Sequence, residues 1–151
     1  MKIITDLRNK VAQAENNINS GKWVQQIIYD NEAYIVDLNA EEQLYEQGIN
    51  NLGVSISDYA PYSPVTIKIK KAKGQPTNRV TLRDEGDFES SFFLEVGQNQ
   101  FEIKASDWKT EGLIKKYGRQ ILGLKNEHIE KLICDFIYPE LLSKLKNELF
   151  G

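Results

Sequence analysis

A chain of 151 residues with a formal net charge of −3 is long enough to bury one hydrophobic core, and its charge gives no case for bulk nucleic-acid binding. A hydrophobic content of 40% excludes disorder of the whole chain, and one cysteine excludes an internal disulfide bond. No apolar run approaches the ~20 residues that cross a bilayer, and the charged amino terminus is not typical of a signal peptide. We therefore expect a soluble protein without a membrane segment, made inside the cell as one domain over residues 1–151.

The first third of the chain is predicted to be a helical arm, residues 1–48. Apolar residues recur at three- and four-residue steps, which predicts a first helix with a narrow apolar stripe: Ile4, Leu7, Val11, Ala14 and Ile18. Ser20 can cap a second helix, predicted from Gly21 to Gln47 and stopped by Gly48. Such a helix spans roughly 40 Å at about 1.5 Å per residue. Because a small core rarely needs that length, we expect part of it to contact another chain.

A loop and a small sheet are predicted over residues 49–106, and the segment from Ser63 to Gly74 is ambiguous. Val65, Ile67 and Ile69 alternate with polar residues, as in a strand. Ser63 followed by Pro64 is instead a helix start, since a serine cap and a proline at the first helical position suit an N-terminus. We favour a short helix stopped at Gly74, with the strand as the alternative.

A β-hairpin and several helices are predicted in the second half. Alternating apolar residues indicate two strands joined at Gly97-Gln98-Asn99: Phe92, Leu94 and Val96, then Phe101, Ile103 and Ala105. Residues 107–151 are predicted to hold C-terminal helices: Thr110 to Tyr117, an amphipathic helix from Ile129 to Ile137, and a kink or restart at Pro139. The predicted class is α+β, with N-terminal and C-terminal helices packed on a small, mostly antiparallel sheet.

Residue types that carry chemistry are sparse. His128, the only histidine, is predicted to face solvent at a helix start, and Cys134 is predicted to be a buried or half-buried core residue. The acids between Asp84 and Glu89 do not fit a calcium loop, because glycine stands third in the run where such a loop needs it sixth. Asp84 is better explained as a helix cap. We therefore expect no catalytic residue, no metal and no cofactor.

Charge is segregated along the chain. No lysine or arginine occurs from Trp23 to Ile67, whereas five basic residues and no acid occur in the basic segment from Lys68 to Arg79. This pattern suits head-to-tail association, in which the basic segment of one copy meets the acidic helix of the next. The alternatives are that both surfaces are solvated, that they pair within one monomer, or that the basic segment contacts nucleic-acid phosphates. The predicted contact residues are Lys68, Lys70, Lys71, Lys73, Arg79, Asp30, Asp37, Glu41 and Glu42.

The order of signals from Leu44 to Leu124 resembles a family of minor structural proteins of tailed bacteriophages. A long helix, a lysine run, a leucine–glycine turn before a strand, and Lys116-Tyr117-Gly118 follow one another. The residues of the turn motif are Leu82, Asp84, Gly86, Phe88 and Ser91. The family comprises virion-morphogenesis, neck and tail-completion proteins of the head–tail junction. The sequence departs from that family at Glu85, where threonine is usual.

The resemblance implies a non-enzymatic component of the virion neck or tail, made in the host cytoplasm. It implies a mobile loop before the turn motif and assembly into a ring that joins a portal-side adaptor to tail proteins, near genomic DNA but without sequence-specific binding. Reversal of Lys68, Lys70, Lys71 and Lys73 to glutamate is then expected to prevent assembly and leave the monomer folded. Two other hypotheses remain: a nucleic-acid-binding or regulatory module that uses the basic segment, and a hydrolase that uses Asp84 and Asp87 with raised carboxylate pKa values.

Overall fold

The computed structural model describes residues 2–151, which are mostly helical (63%) with a small two-stranded antiparallel sheet, so the α+β prediction is confirmed. Eight α-helices are found within these residues: α1 (Lys2–Asn19), α2 (Lys22–Asp30), α3 (Glu32–Asp37), α4 (Pro64–Ala72), α5 (Asp87–Ser90), α6 (Thr110–Tyr117), α7 (Asn126–Leu132) and α8 (Tyr138–Phe150). The strands are β1 (Phe92–Val96) and β2 (Phe101–Ala105). Two π-helical segments (Leu38–Gln47 and Ile133–Ile137) and two 3₁₀ turns (Ile56–Asp58 and Arg119–Ile121) complete the described elements.

The first predicted helix is present as α1, which packs on α2 and α8. Of its apolar stripe only Ala14 is buried, while Ile4, Leu7 and Val11 remain exposed. The predicted cap by Ser20 is wrong. Gly21 occupies the cap position of α2 in a left-handed conformation (φ 75°), and the Ser20 hydroxyl donates instead to the carbonyl of Asn17.

The predicted continuous helix from Gly21 to Gln47 is wrong in its middle, although Gly48 does end it with φ 62°. At Asn31 the backbone leaves the helical conformation (φ −106°, ψ 20°) and separates α2 from α3. The side-chain amide of Asn31 donates to the carbonyl oxygen of Ile27 at 2.8 Å, in addition to the backbone bond that its N–H makes to the same oxygen at 3.2 Å. From Leu38 onward the turns are π-helical.

Two buried amides on the π-helical segment position the chain after α6. The Asn39 amide donates to the Ile121 carbonyl at 3.0 Å, and its oxygen accepts the N–H of Gly123 at 2.8 Å. Gln43 likewise donates to the Gly123 carbonyl at 2.9 Å and accepts the N–H of Lys125 at 2.8 Å. All four bonds are made to backbone groups of residues 121–125. They therefore hold this stretch directly against the π-helical segment.

The ambiguous segment is a helix, as favoured. The Ser63 hydroxyl accepts the N–H of Thr66 at 3.1 Å, Pro64 opens α4, and Gly74 follows it with φ 69°. The predicted hairpin is confirmed, with Phe92 opposite Ala105 and Val96 opposite Phe101.

The C-terminal helices are present, but two predictions about their side chains are wrong. His128 is buried, with Nδ1 2.7 Å from Gln43 Oε1 and Nε2 3.1 Å from a Glu42 carboxylate oxygen. Its helix face is covered by residues more than eighty positions earlier in the chain, which the local pattern does not reveal. Cys134, expected in the core, is exposed. The π-helical segment directly before Pro139 accommodates the proline.

One cluster of buried side chains joins the second helix, the hairpin and the C-terminal half. It consists of Ile28, Ile35, Leu38, Ala40, Leu44, Ile56, Val80, Phe88, Phe92, Leu94, Ile103, Tyr117, Ile121, Leu124 and Leu132. None of the helices within residues 2–151 combines the length and apolar character that a membrane span requires.

Candidate interaction surface

The turn motif lies between α4 and the hairpin. Within residues 2–151, Leu82 is the one non-glycine residue in the left-handed region (φ 61°), and Gly86 follows with φ 91°. Left-handed backbone is unfavourable for side chains with a Cβ, so Leu82 is held by its surroundings. The two residues reverse the chain into α5, where Phe88 is buried and packs edge-on against Phe92 at 5.0 Å. The motif thus directs β1 into the core.

Ser91 connects the turn motif to the residues that directly follow β2. Its hydroxyl donates to the Phe88 carbonyl at 2.7 Å and accepts the N–H groups of Ser106 (3.1 Å) and Asp107 (3.0 Å). Ser90 donates to the Gly86 carbonyl at 2.6 Å. Both serines therefore satisfy backbone groups at the turn.

Asp84 is not a helix cap, because Gly86 occupies the cap position of α5. The Asp84 carboxylate instead pairs with the Lys73 ammonium at 2.6 Å on the surface, and this hydrogen bond lowers the pKa of Asp84. The hydrolase hypothesis assumes raised carboxylate pKa values, so this contact does not favour it. Within residues 2–151 no group of three His, Cys, Asp or Glu side chains is placed to hold a metal ion.

Three of the five basic residues of the basic segment form hydrogen bonds or ion pairs with other residues of the same chain. Lys70 is buried, and its ammonium donates to the Arg83 carbonyl at 2.8 Å; Lys73 pairs with Asp84. The Arg79 guanidinium donates to the Tyr45 carbonyl at 2.7 Å. Because these bonds hold both α4 and the chain after it, the segment is a tethered helix and extension, whereas the resemblance implies a mobile loop.

The other two basic residues, Lys68 and Lys71, are exposed and form no ion pair with any residue in the range 2–151. The burial of Lys70 also corrects the expectation that reversing all four lysines leaves the monomer folded. A glutamate there would place an unpaired carboxylate against the Arg83 carbonyl.

The predicted acidic residues are also partly engaged. Glu41 pairs with Arg83 at 2.5 Å, and Glu42 lies 3.1 Å from His128 Nε2. Asp30 accepts a hydrogen bond from Gln26 at 2.8 Å, so of the four only Asp37 has no side-chain partner found within residues 2–151.

An acidic pocket of about 390 Å³ lies where α5 and the turn motif meet the π-helical segment. Four carboxylates line it, those of Asp37, Glu41, Glu85 and Glu89, together with Arg83. Glu89 lies deepest, with a side chain only 5% exposed, and burial raises its pKa. Neither Glu89 oxygen has a hydrogen-bond partner among the described residues, and Arg83 Nε is 3.9 Å away.

Glu85 and Glu89 are not among the contact residues that the sequence predicts. Asp37 and Glu41 are four residues apart on one helical segment, and Glu85 and Glu89 are four apart across the start of α5. Within a helix such spacing indicates a shared side, but Glu85 lies before Gly86, the cap of α5, so only the tertiary packing brings the four carboxylates together.

A larger groove of about 1140 Å³ follows the free side of β2. The β1 residue Leu94 turns its N–H away from β2, where it donates to the Glu32 carboxylate at 2.9 Å. Its partner Ile103 must therefore turn its own backbone groups to the opposite edge, towards the groove. The outer edge of β1 is thus capped by Glu32, whereas that of β2 is open.

Comparison with known proteins adds no relative. A scan against protein-family models finds no matching family, and searches of the curated proteins and of the solved structures find no match.

Proposed function

We propose that this protein is a non-enzymatic structural component of a tailed-bacteriophage particle. In this proposal copies form a ring at the head–tail junction, in the neck or at the tail end, and join a portal-side adaptor to tail proteins. The protein is made in the host cytoplasm, becomes part of the virion, and lies near the genomic DNA without reading its sequence.

The observation that carries the proposal is the turn motif. Leu82 and Gly86 stand at two left-handed positions, Phe88 enters the core, and Ser91 ties β1 to the residues after β2. Every motif residue that resembles the phage family, apart from Asp84, thus has a role in shaping the hairpin. A motif whose residues specify a fold agrees with a structural role and does not require a reaction.

Exposed apolar side chains support protein–protein contact. On α1 the stripe residues Ile4, Leu7 and Val11 remain exposed, and so do Val65 and Ile69 on α4. Large apolar residues grouped on one helix face are typical of surfaces that bind another protein. This distribution supports an assembly subunit.

The test is deletion of the gene from the phage genome that carries it, followed by electron microscopy and protein analysis of purified particles. The expected result is DNA-filled heads separated from tails, restored by the gene supplied in trans, with the protein present in the complemented virions. Intact, infectious tailed particles without the protein would refute the proposal.

The structure gives the nucleic-acid alternative less support than the sequence does, since Lys70, Lys73 and Arg79 are bound within the chain. That alternative requires a mobility shift of duplex or single-stranded DNA by the purified protein that weakens steeply with added salt. We expect no such shift.

A further inference from the structure

The acidic pocket carries more negative charge than its own chain balances. Arg83 lines the pocket together with the four carboxylates, and its two terminal nitrogens are directed at Glu41; Lys109 acts on Glu89 from outside the lining. A guanidinium engaged in this way offers Glu89 only its Nε, which at 3.9 Å is beyond hydrogen-bond distance. The pocket is therefore suited to a second cationic group.

Glu89 indicates where that group would bind. A buried carboxylate is unfavourable unless it is paired and hydrogen-bonded. Both of its oxygens lack a hydrogen-bond partner among the described residues, and the side chain lines the pocket. Because the two oxygens are themselves almost inaccessible, an ammonium or guanidinium group that enters beside Asp37 and Glu85 would act on Glu89 through its charge and without direct contact.

The outer face of α4 carries exposed lysines, whose positive charge is complementary to the acidic pocket. Val65, Lys68 and Ile69 are at i, i+3 and i+4 and share one side of the helix, with Val65 66% and Ile69 51% exposed. Lys71 adds a second exposed ammonium beside them. Apolar side chains next to lysines favour a protein contact over a small free cation as the source of the charge.

The same chain does not supply this contact. Lys70 points inward to the Arg83 carbonyl, and Lys73 is paired with Asp84 on the surface of the same chain. Lys68, at two positions before Lys70, projects from nearly the opposite side of the helix. Its ammonium is directed outward, so the partner is a second molecule.

We propose that the acidic pocket of one copy receives Lys68 or Lys71 from the outer face of α4 in the next copy. This inference rests on the proposed function and specifies the contact between ring subunits. Pocket and helix face are different surfaces, so the contact is head-to-tail and repeats from copy to copy, as a ring or a filament requires.

The first test is Glu89→Gln, which keeps the side-chain shape and removes the charge. We expect the monomer to remain folded, because the change removes the charge of a buried carboxylate that has no hydrogen-bond partner among the described residues. We expect self-association, measured by sedimentation velocity, to weaken about tenfold. Glu46→Gln, an exposed change on the same π-helical segment, is the matched control and should leave association unchanged. Equal association of all three proteins would overturn the inference.

The second test mixes two defective variants. Lys68→Glu/Lys71→Glu removes the inserting charges, and Asp37→Lys/Glu85→Lys blocks the pocket. Each variant alone should be monomeric by native mass spectrometry, with circular dichroism as the check on folding. Their mixture should form 1:1 dimers and nothing larger, because only one complementary pair of surfaces remains.

Three outcomes would overturn the inference: a mixture that stays monomeric, variants that associate like the unaltered protein, or an unaltered protein that is monomeric at all salt concentrations. Calorimetric binding of Ca²⁺ or spermidine that Glu89→Gln abolishes would instead assign the pocket to a small cation. The proposed function fails separately, if the protein is absent from virions. A monomer that is nonetheless incorporated into particles refutes only the contact described here.

Discussion

Gly48→Ala tests the close packing where the π-helical segment ends. Gly48 has φ 62°, and a Cβ on it would lie 2.9 Å from the Arg79 Cβ and 3.1 Å from the Val80 carbonyl oxygen. Neither neighbour can withdraw easily, because Val80 is a core residue and the Arg79 guanidinium is bound to the Tyr45 carbonyl. Gly53→Ala is the matched control: its φ is 76°, and nothing lies within 4 Å of the added Cβ.

The two substitutions separate backbone strain from steric conflict. Left-handed backbone costs an alanine about 1 kcal/mol. Crowding a packed site adds about 2 kcal/mol. Gly48→Ala should therefore lose about 3 kcal/mol of unfolding free energy and Gly53→Ala about 1 kcal/mol. For a chain of this size these losses lower Tm by about 9 °C and about 3 °C, respectively.

The measurement is thermal and urea unfolding followed by circular dichroism, with unchanged m-values as evidence that the denatured states are comparable. If Gly48→Ala is no less stable than Gly53→Ala, the close approach of the chain after α4 to Gly48 is wrong. The attachment of the basic segment to the helix end would then need another explanation.

Lys70→Glu should lose about 3 kcal/mol of unfolding free energy in urea titrations because it buries an unpaired carboxylate, while Lys68→Glu should change stability by less than about 0.5 kcal/mol. Equal losses would contradict the inward orientation of Lys70. Burial, aided by Lys125, lowers the pKa of His128 below its ordinary 6.5, so stability should fall as pH drops below that value. His128→Asn, which retains a donor for Gln43, should reduce this pH dependence between about pH 7 and 5. If the unfolding free energy of the variant changes with pH as steeply as that of the unaltered protein, His128 is not the source of the pH dependence.

Elements whose signals lie within a few residues were predictable. The cap of α4 depends on Ser63, Pro64 and Thr66, all within one turn, and the hairpin depends on alternation and a glycine-containing turn. The α+β class follows from these local signals. Ser20 failed as a cap because Gly21, with its left-handed backbone, took the position instead.

Burial of polar side chains was not predictable, because it depends on residues far along the chain. Local periodicity placed His128 on a solvent face, but Gln43 packs over it. Asp84 is a residue type typical of helix caps, yet its exposed carboxylate pairs with Lys73, which follows the last residue of α4. Both partners are set by how the helices pack, which periodicity does not describe.

The sequence by itself determined that acidic and basic residues occupy separate stretches; the resemblance of the turn motif before β1 to a phage structural family stays a prediction. Tertiary structure decided which charges are free. Packing of α4 directs Lys70 inward and Lys68 outward, and packing of α5 beside the π-helical segment buries Glu89 with no hydrogen-bond partner among the described residues. The physical reason is that charge is a property of each residue, whereas its availability depends on which neighbours the fold brings within hydrogen-bond distance.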